Sequence, residues 1–506
     1  MSRERQKRSL SYLLKGLAEV SAANDCDIHG LTADSREITP GDLFLACRGE
    51  RVDGVDYLQD AIAAGAAAVL FEGGIDEAGA AQVPMIQIKE LSQKAGLIAA
   101  RFFADPSQQL FVVGVTGTNG KSSCCHFLSQ ALQLKGELCG VIGTLGYGLP
   151  GAMRAATHTT PNPVVLQAEL KAMVDAGAGS VVMEVSSHAL AQSRVAGVAF
   201  DVALFTNLTR DHLDYHGDLD SYGAAKRRLF TMPGLSHAVI NRDDTFGVQL
   251  LKRLPASVTP VAYGRLDERQ DAEALLSTGL CGVYGKVTML ERGGMELQLF
   301  SSWGHGVLRN EQLLGAFNAS NLLAVLSVLL VMEVPFEQAL ALLAQVESAE
   351  GRMEPLGGDG RQPLVIIDYA HTPDALQQLL TALREHCRGR LFCIFGCGGD
   401  RDAGKRPLMG AVAAQYADEI IITDDNPRNE DAAQIVRDIR AGISSDINLT
   451  VIHARREAIR TALQRASVDD VVVIAGKGHE SCQLIGEQKV PFNDRDCVRS
   501  IMQEVA

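Results

Sequence analysis

Short apolar runs rich in β-branched residues, at 110–115, 181–185, 202–205 and 238–241, alternate with stretches of helical periodicity, and this rhythm limits the fold most narrowly. Runs of this kind leave no polar face for water. Each therefore predicts a strand of a mostly parallel sheet covered by helices on both faces. A second series, at 364–368, 391–395, 419–423 and 471–475, predicts another doubly wound sheet after Gly351-Arg352. Ligands of such sheets lie beyond the carboxyl ends of the strands. Upstream, strand-like pieces at 42–47, 67–71 and 84–88 with an Ala-rich helical stretch at 57–64 predict a small α/β domain. Helix-stop and turn residues at Ala104-Asp105-Pro106-Ser107 close it. At ~150 residues per domain, 506 residues predict three units, with boundaries at 1–105, 106–348 and 349–506.

A formal net charge of -14 argues against a general binder of nucleic acid or anionic membrane, both of which need a positive field. An anionic substrate has to be held by local cations instead. The 11 cysteines are scattered from Cys26 to Cys497, and Cys393 and Cys397 have three residues between them rather than two, so neither a disulfide framework nor a zinc site is supported. Residues 1–15 are basic but lack the apolar stretch of a signal peptide. The longest apolar runs, 61–71 and 322–332, fall well short of the ~20 residues that cross a bilayer. They predict buried core elements in a cytoplasmic protein without membrane insertion.

The most informative segment is Gly114-Val115-Thr116-Gly117-Thr118-Asn119-Gly120-Lys121-Ser122-Ser123, which follows a strand and opens a helix predicted from about Ser122. Glycines let successive backbone N–H groups turn toward an anion, and the helix N-terminus adds its dipole. Lys121 supplies a point charge and Ser122 a hydroxyl for Mg²⁺. The segment predicts a triphosphate cradle and makes the central unit a P-loop-type ATPase domain, although Val115 stands where the general pattern has its first glycine. Glu184 ends the run at 181–185, and His212 follows the one that leads to Thr206. Both belong at strand carboxyl ends, where a carboxylate and an imidazole could hold a divalent cation. Taken alone, each also reads as a salt-bridged acid or a satisfied loop histidine.

These segments together resemble the Mur ligase superfamily: Gly117-Thr118-Asn119-Gly120-Lys121-Ser122, Glu184, Thr206-Asn207 with Asp211-His212-Leu213-Asp214-Tyr215-His216, Gly315-Ala316-Phe317-Asn318, Gly351-Arg352 and Asp368-Tyr369-Ala370-His371-Thr372-Pro373. The resemblance runs in order along nearly the whole chain and is weakest at 245–300. It implies ATP-dependent amide-bond formation on a UDP-sugar peptide, in a chain of three domains whose last is Rossmann-like. It implies that Lys226 is carbamylated by CO₂ and, with Ser122, Glu184 and His212, holds Mg²⁺, two ions in all. On residues alone Lys226 would read as a surface lysine of a helix. Gly117 to Ser123, Asn318, Arg352, Asp368 and His371 would contact ATP, Arg352 and His371 by domain closure. Lys121, Glu184, His212 and Lys226 form the implied catalytic set.

Three further motifs resemble the members that add meso-diaminopimelate to UDP-N-acetylmuramoyl-L-alanyl-D-glutamate in peptidoglycan precursor synthesis. They are Gly398-Gly399-Asp400-Arg401-Asp402, Asp425-Asn426-Pro427-Arg428 and Gly476-Lys477-Gly478-His479-Glu480. By that likeness Arg401, Asp425, Asn426, Pro427, Arg428, Gly476 and Glu480 form the amino-acid site. The chemistry agrees, since a guanidinium fork suits the distal carboxylate and Glu480 the distal ammonium. Lysine lacks that carboxylate, and lysine-adding relatives typically lack the arginine. Ser35 would meet the uridine end of the UDP-sugar, with Thr159, Thr160, Ser186, Gln192 and Arg194 around the sugar and pyrophosphate. His158 replaces an Asn common in relatives, and Glu50-Arg51-Val52 replaces a His-containing loop seen in some. The resemblance implies small-molecule partners only and a monomer. Rival expectations are a lysine-adding ligase, a folylpolyglutamate-synthetase-like ligase and a non-catalytic nucleotide-binding descendant.

Overall fold

A computed structural model describes residues 7–49, 53–73, 83–156, 158–266, 269–289, 294–358, 360–384, 386–443 and 447–505. Glu50-Arg51-Val52 lie outside them. The first sheet is four parallel strands in chain order, Gly30–Thr32, Asp42–Ala46, Ala68–Phe71 and Met85–Gln87. Asp42–Ala46 is buried throughout because both faces are covered. Leu43 and Leu45 pack with the helix Leu91–Phe102, while Phe44 and Ala46 pack with Leu58 and Ala61 of the helix Leu58–Ala63. Ala104 and Asp105 then both take positive φ, and Pro106 starts a short 3-10 turn before the next strand.

The central sheet has ten strands. Its middle is Phe111–Thr116, flanked in parallel by Ser180–Glu184 and Val202–Phe205, with His237–Asn241 beyond the latter. Register brings the carboxyl ends of these strands level: Glu184 lies opposite Val115, and Phe205 opposite Thr116. The residues that continue the strands therefore emerge at one edge. The apolar run 322–332 makes up the last part of the helix Ala316–Val331 and its C-cap Met332, and the helix is buried on nearly every side against this sheet. A helix apolar all round belongs in a core.

Sequence periodicity carries the strands only to 241, whereas the sheet continues through Thr259–Arg265, Cys281–Met289, Met295–Ser301 and Gly304–Asn310. The last two run antiparallel to their neighbours, and at the other edge Gly146–Gly148 pairs antiparallel with Cys139–Gly143, so the sheet is parallel through its middle and antiparallel at both edges. Gly282, Gly285 and Lys286 dilute the strand signal of Cys281–Met289, which gains its order from its neighbours.

The third sheet has the order Glu354–Gly357, Leu364–Asp368, Val471–Ala475, Leu391–Phe395, Glu419–Ile422 and Asn448–Val451, parallel except for the first strand. Apolar layers cover both faces, as unbroken apolar strands require. Among the described residues no helix is long and apolar enough to cross a membrane.

Candidate active site at the meeting of two sheets

The phosphate loop turns between Thr116 and the helix Lys121–Leu134, which begins one residue earlier than its sequence suggests. Gly117 has φ 154 and packs so tightly that a Cβ there would strike Thr206 Oγ1. Asn207 clamps the loop: its Oδ1 accepts from the Asn119 amide at 2.9 Å, and its Nδ2 donates to the Asn119 carbonyl at 3.2 Å. Lys121 Nζ folds back on the carbonyls of Gly117 (2.9 Å) and Thr118 (2.7 Å). Burial lowers its pKa, and the negative charges of Glu184 and Asp211 partly oppose that shift.

Ser122 Oγ donates to Glu184 Oε1 at 2.9 Å, and the same carboxylate oxygen accepts from the Thr144 amide at 2.8 Å. His212, at φ 55, stands beside Asp211, with Nε2 to Oδ2 3.3 Å. Its side chain is 44% exposed, and desolvation on its cavity side, with the charges of Lys121 and Lys226, lowers its pKa, which favours the neutral ring that can ligate a metal. Lys226 is buried, contrary to the surface lysine its sequence alone would suggest. Its Nζ donates to the Gly117 carbonyl at 2.8 Å and lies 4.1 Å from the Tyr222 ring centroid. Burial and then the charge of Lys121 drive its pKa well below the ordinary lysine value.

Residues of the third sheet reach the same place. Arg352 donates through Nη2 to Ser122 Oγ at 3.2 Å and stacks over Tyr369 at 4.6 Å. Gly117 to Ser123, Glu184, Ser186, Thr159, His212, Lys226, Arg352 and His371 all line one cavity of about 160 Å³. An adjoining space of about 80 Å³ takes in Asn318, Arg352, Asp368 and His371. The Asp368 oxygens are occupied by the amides of Met353 and Ala370, both at 2.7 Å, so this carboxylate shapes the turn that carries Arg352. Asn119 Nδ2 donates across the junction to Asp374 Oδ2 at 3.0 Å.

Among the described residues no three His, Cys, Asp or Glu side chains group around a common metal position. The donors at hand are Glu184, His212 and the Ser122 hydroxyl, of which the carboxylate and the hydroxyl suit a hard divalent cation.

On the opposite side of Glu184, Thr160 Oγ1 donates to the Glu184 carbonyl at 2.8 Å and accepts from the Ser186 amide at 3.1 Å. Arg194 holds the Thr160 carbonyl at 2.9 Å and Gln192 Oε1 at 2.8 Å. Thr159 meets Thr144 hydroxyl to hydroxyl at 3.1 Å. These five residues thus form a shelf at one wall of the cavity, which Thr159 and Ser186 themselves line. Ser35 lies apart, in a cleft of about 990 Å³ between the first sheet and Asn162 to Ala168.

The amino-acid motifs gather at the carboxyl edge of the third sheet. Asn426 Nδ2 donates to Glu480 Oε2 at 2.8 Å, and Arg428 Nη1 donates to the Gly399 carbonyl at 2.8 Å. Gly476 has φ 110, and a Cβ there would come within 2.6 Å of Asp425 Oδ2. Pro427 passes its carbonyl against Gly399, and the Arg401 guanidinium rests on the Asp400 carbonyl at 3.3 Å near the surface. Sequence reasoning missed Thr144, Asn207 as the loop clamp, Tyr222, Tyr369 and Lys477. Asn207, Tyr369 and Lys477 lay inside motifs already singled out, and Asn207 could have been read there as a partner of the loop.

Two mostly parallel sheets whose carboxyl edges meet at one lysine-bearing glycine loop define a class of multidomain α/β protein with a P-loop-type centre. The sequence falls in the same class: residues 27–103 match the Mur ligase family catalytic domain, 115–329 the Mur ligase middle domain and 351–478 the Mur ligase glutamate ligase domain. The chain belongs to the Mur ligase family. A relative from Coxiella burnetii named UDP-N-acetylmuramoyl-L-alanyl-D-glutamate–2,6-diaminopimelate ligase is 49% identical over 96% of this chain and 97% of its own. One of the same name from Pseudomonas aeruginosa is 48% identical, over 94% of each chain. A solved structure of a protein of that name aligns with a TM-score of 0.70 at 34% identity, covering 99% of both chains.

Proposed function

We propose that this chain is an ATP-dependent ligase that joins meso-2,6-diaminopimelate to the D-glutamyl carboxylate of UDP-N-acetylmuramoyl-L-alanyl-D-glutamate. The observation that carries the reading is the single cavity in which Lys121, Ser122, Glu184, His212 and Lys226 meet Arg352 and His371 from the other sheet. Full-length likeness to relatives named for this reaction supports it. The first domain takes the uridine end at Ser35, the central domain takes ATP, and the third takes the amino acid through Arg401, Asp425 to Arg428, Gly476 and Glu480.

The shelf of Thr159, Thr160, Ser186, Gln192 and Arg194 orients the sugar peptide so that its free carboxylate points at the γ-phosphate. Lys121 and Arg352 face the phosphates and neutralise charge as the carboxylate attacks and ADP departs. The amine of the second substrate then attacks the acyl carbon of the resulting acyl phosphate, and phosphate leaves. No side-chain nucleophile is needed. Magnesium, held by Ser122, Glu184, His212 and the carbamate of Lys226, would supply further screening of phosphate charge. The enzyme acts as a cytoplasmic monomer on small molecules.

Measuring ADP release with the UDP-dipeptide and each candidate amino acid, with the product weighed by mass spectrometry, tests the reading. Turnover is expected with meso-diaminopimelate and at most weakly with lysine; turnover with a folate in place of the UDP-dipeptide would defeat it.

Carbamylation needs an uncharged amine, and a lysine pKa lowered by burial enlarges the neutral fraction at any given pH, so the sign favours modification. Activity is expected to fall when CO₂ and bicarbonate are stripped from the buffer and to return when bicarbonate is restored. Lys226→Ala should lose roughly 10²-fold or more in rate and show no bicarbonate response. Absence of a carbamate carbon signal in ¹³C NMR of an active preparation held in ¹³C-bicarbonate would rule the carbamate out.

A further inference from the structure

Lys477 is completely buried, yet it lies outside the phosphate cavity. All three of its N–H donors are used: on Glu480 Oε2 at 2.7 Å, on the Cys482 carbonyl at 2.7 Å and on Asn426 Oδ1 at 3.1 Å. Asn426 Oδ1 also accepts from the Leu484 amide at 2.9 Å. With its oxygen held by two donors, the Asn426 amide can have only one orientation, and Nδ2 has to point at Glu480 Oε2. Oε2 therefore receives both Lys477 and Asn426, while Oε1 accepts no hydrogen bond from a described residue. Burial by itself would raise the Glu480 pKa, but the charge and hydrogen bond of Lys477, with the Asn426 contact, carry it below the usual carboxylate range. The group stays an anion in a half-buried place.

A carboxylate with one oxygen tied and the other presented recognises a cation, and a primary ammonium fits a single oxygen better than a guanidinium fork does. We infer that Lys477 is a positioning residue of the amino-acid site, locking Asn426 and Glu480 so that Glu480 Oε1 is presented to the distal ammonium of the incoming diamino acid. The inference rests on the reading above that Asn426 and Glu480 contact that amino acid. Lys477 does not itself touch the ligand. It sets the direction of the two groups that do, from beneath, where solvent cannot compete for its hydrogen bonds.

The test is steady-state kinetics of the full chain carrying Lys477→Met, Glu480→Gln or both, with ATP and the UDP-dipeptide saturating and a thermal melt for each variant. Lys477→Met is expected to raise KM for meso-diaminopimelate roughly 10- to 100-fold, the span of a lost charge-assisted hydrogen bond. KM for ATP should stay within about twofold. Since Lys477 acts in part through the Glu480 carboxylate, the losses of the two single variants should fall well short of adding in the double variant. A folded Lys477→Met enzyme with unchanged KM for meso-diaminopimelate, beside an impaired Glu480→Gln, overturns the role of Lys477 and leaves the site reading intact. An unimpaired Glu480→Gln overturns the site reading itself. Should Lys477→Met fail to melt cooperatively, Lys477→Gln, which retains an amide donor for the Cys482 carbonyl without the charge, is held to the same values.

Discussion

Lys121→Ala is expected to lower ADP release by roughly 10³-fold or more while leaving the fold in place. Lys121 Nζ stands over the Gly117 and Thr118 carbonyls in the cavity that also holds Glu184 and Arg352, so its charge lies where phosphate charge would develop. The loop keeps its shape without it. Asn207 still grips Asn119 on both sides, and Lys226 Nζ still donates to the Gly117 carbonyl. Glu184 retains the Ser122 hydroxyl and the Thr144 amide. Removing a half-buried cation also relieves part of its desolvation cost, so the unfolding free energy should change by only about 1 kcal/mol. A coupled ADP assay and a thermal melt check the two halves. Turnover within tenfold of the parent would remove Lys121 from the chemistry.

Arg428→Met is expected to cut kcat/KM for meso-diaminopimelate by roughly 10²- to 10³-fold, the worth of a paired carboxylate contact. Lysine has no distal carboxylate to lose, so its own kcat/KM should move little and discrimination between the two should narrow by nearly the same factor. Arg428 holds a left-handed backbone at φ 50, an unusual conformation for a non-glycine residue, pinned by its amide on the Leu484 carbonyl at 2.9 Å. The side chain is thus aimed by the backbone, with Nη1 on the Gly399 carbonyl and the rest of the fork available. Competition between the two amino acids, with products separated by mass, is the measurement. Equal losses for both substrates would mean that Arg428 supports the loop and does not read the carboxylate.

The strands at 202–205, 364–368, 391–395 and 471–475 were legible residue for residue, because a strand buried on both faces leaves an unbroken apolar run. The edge of the central sheet was not. Gly304–Asn310 alternates exposed and buried positions and carries His305 and Arg309, so its order comes from pairing with Met295–Ser301. The same contrast holds at the site. The phosphate loop announces itself through local glycines, a lysine and a serine, whereas Lys477 looks like any lysine in a glycine-rich turn until Asn426, more than fifty residues earlier in the chain, is brought against it.

Local chemistry, written in neighbouring residues, determined the sheet-and-helix alternation and the glycine-rich turn at Gly117 to Ser123 that carries a lysine and two serines into a helix. Tertiary structure alone decided that Lys226 is buried, that Arg352 reaches Ser122 from another sheet, and that Glu480 has one oxygen bound and one presented. The physical reason is range. Backbone preference and periodicity act over a few residues, while burial, charge coupling and the direction of a hydrogen bond depend on groups that only the folded chain brings within about 3 Å of each other.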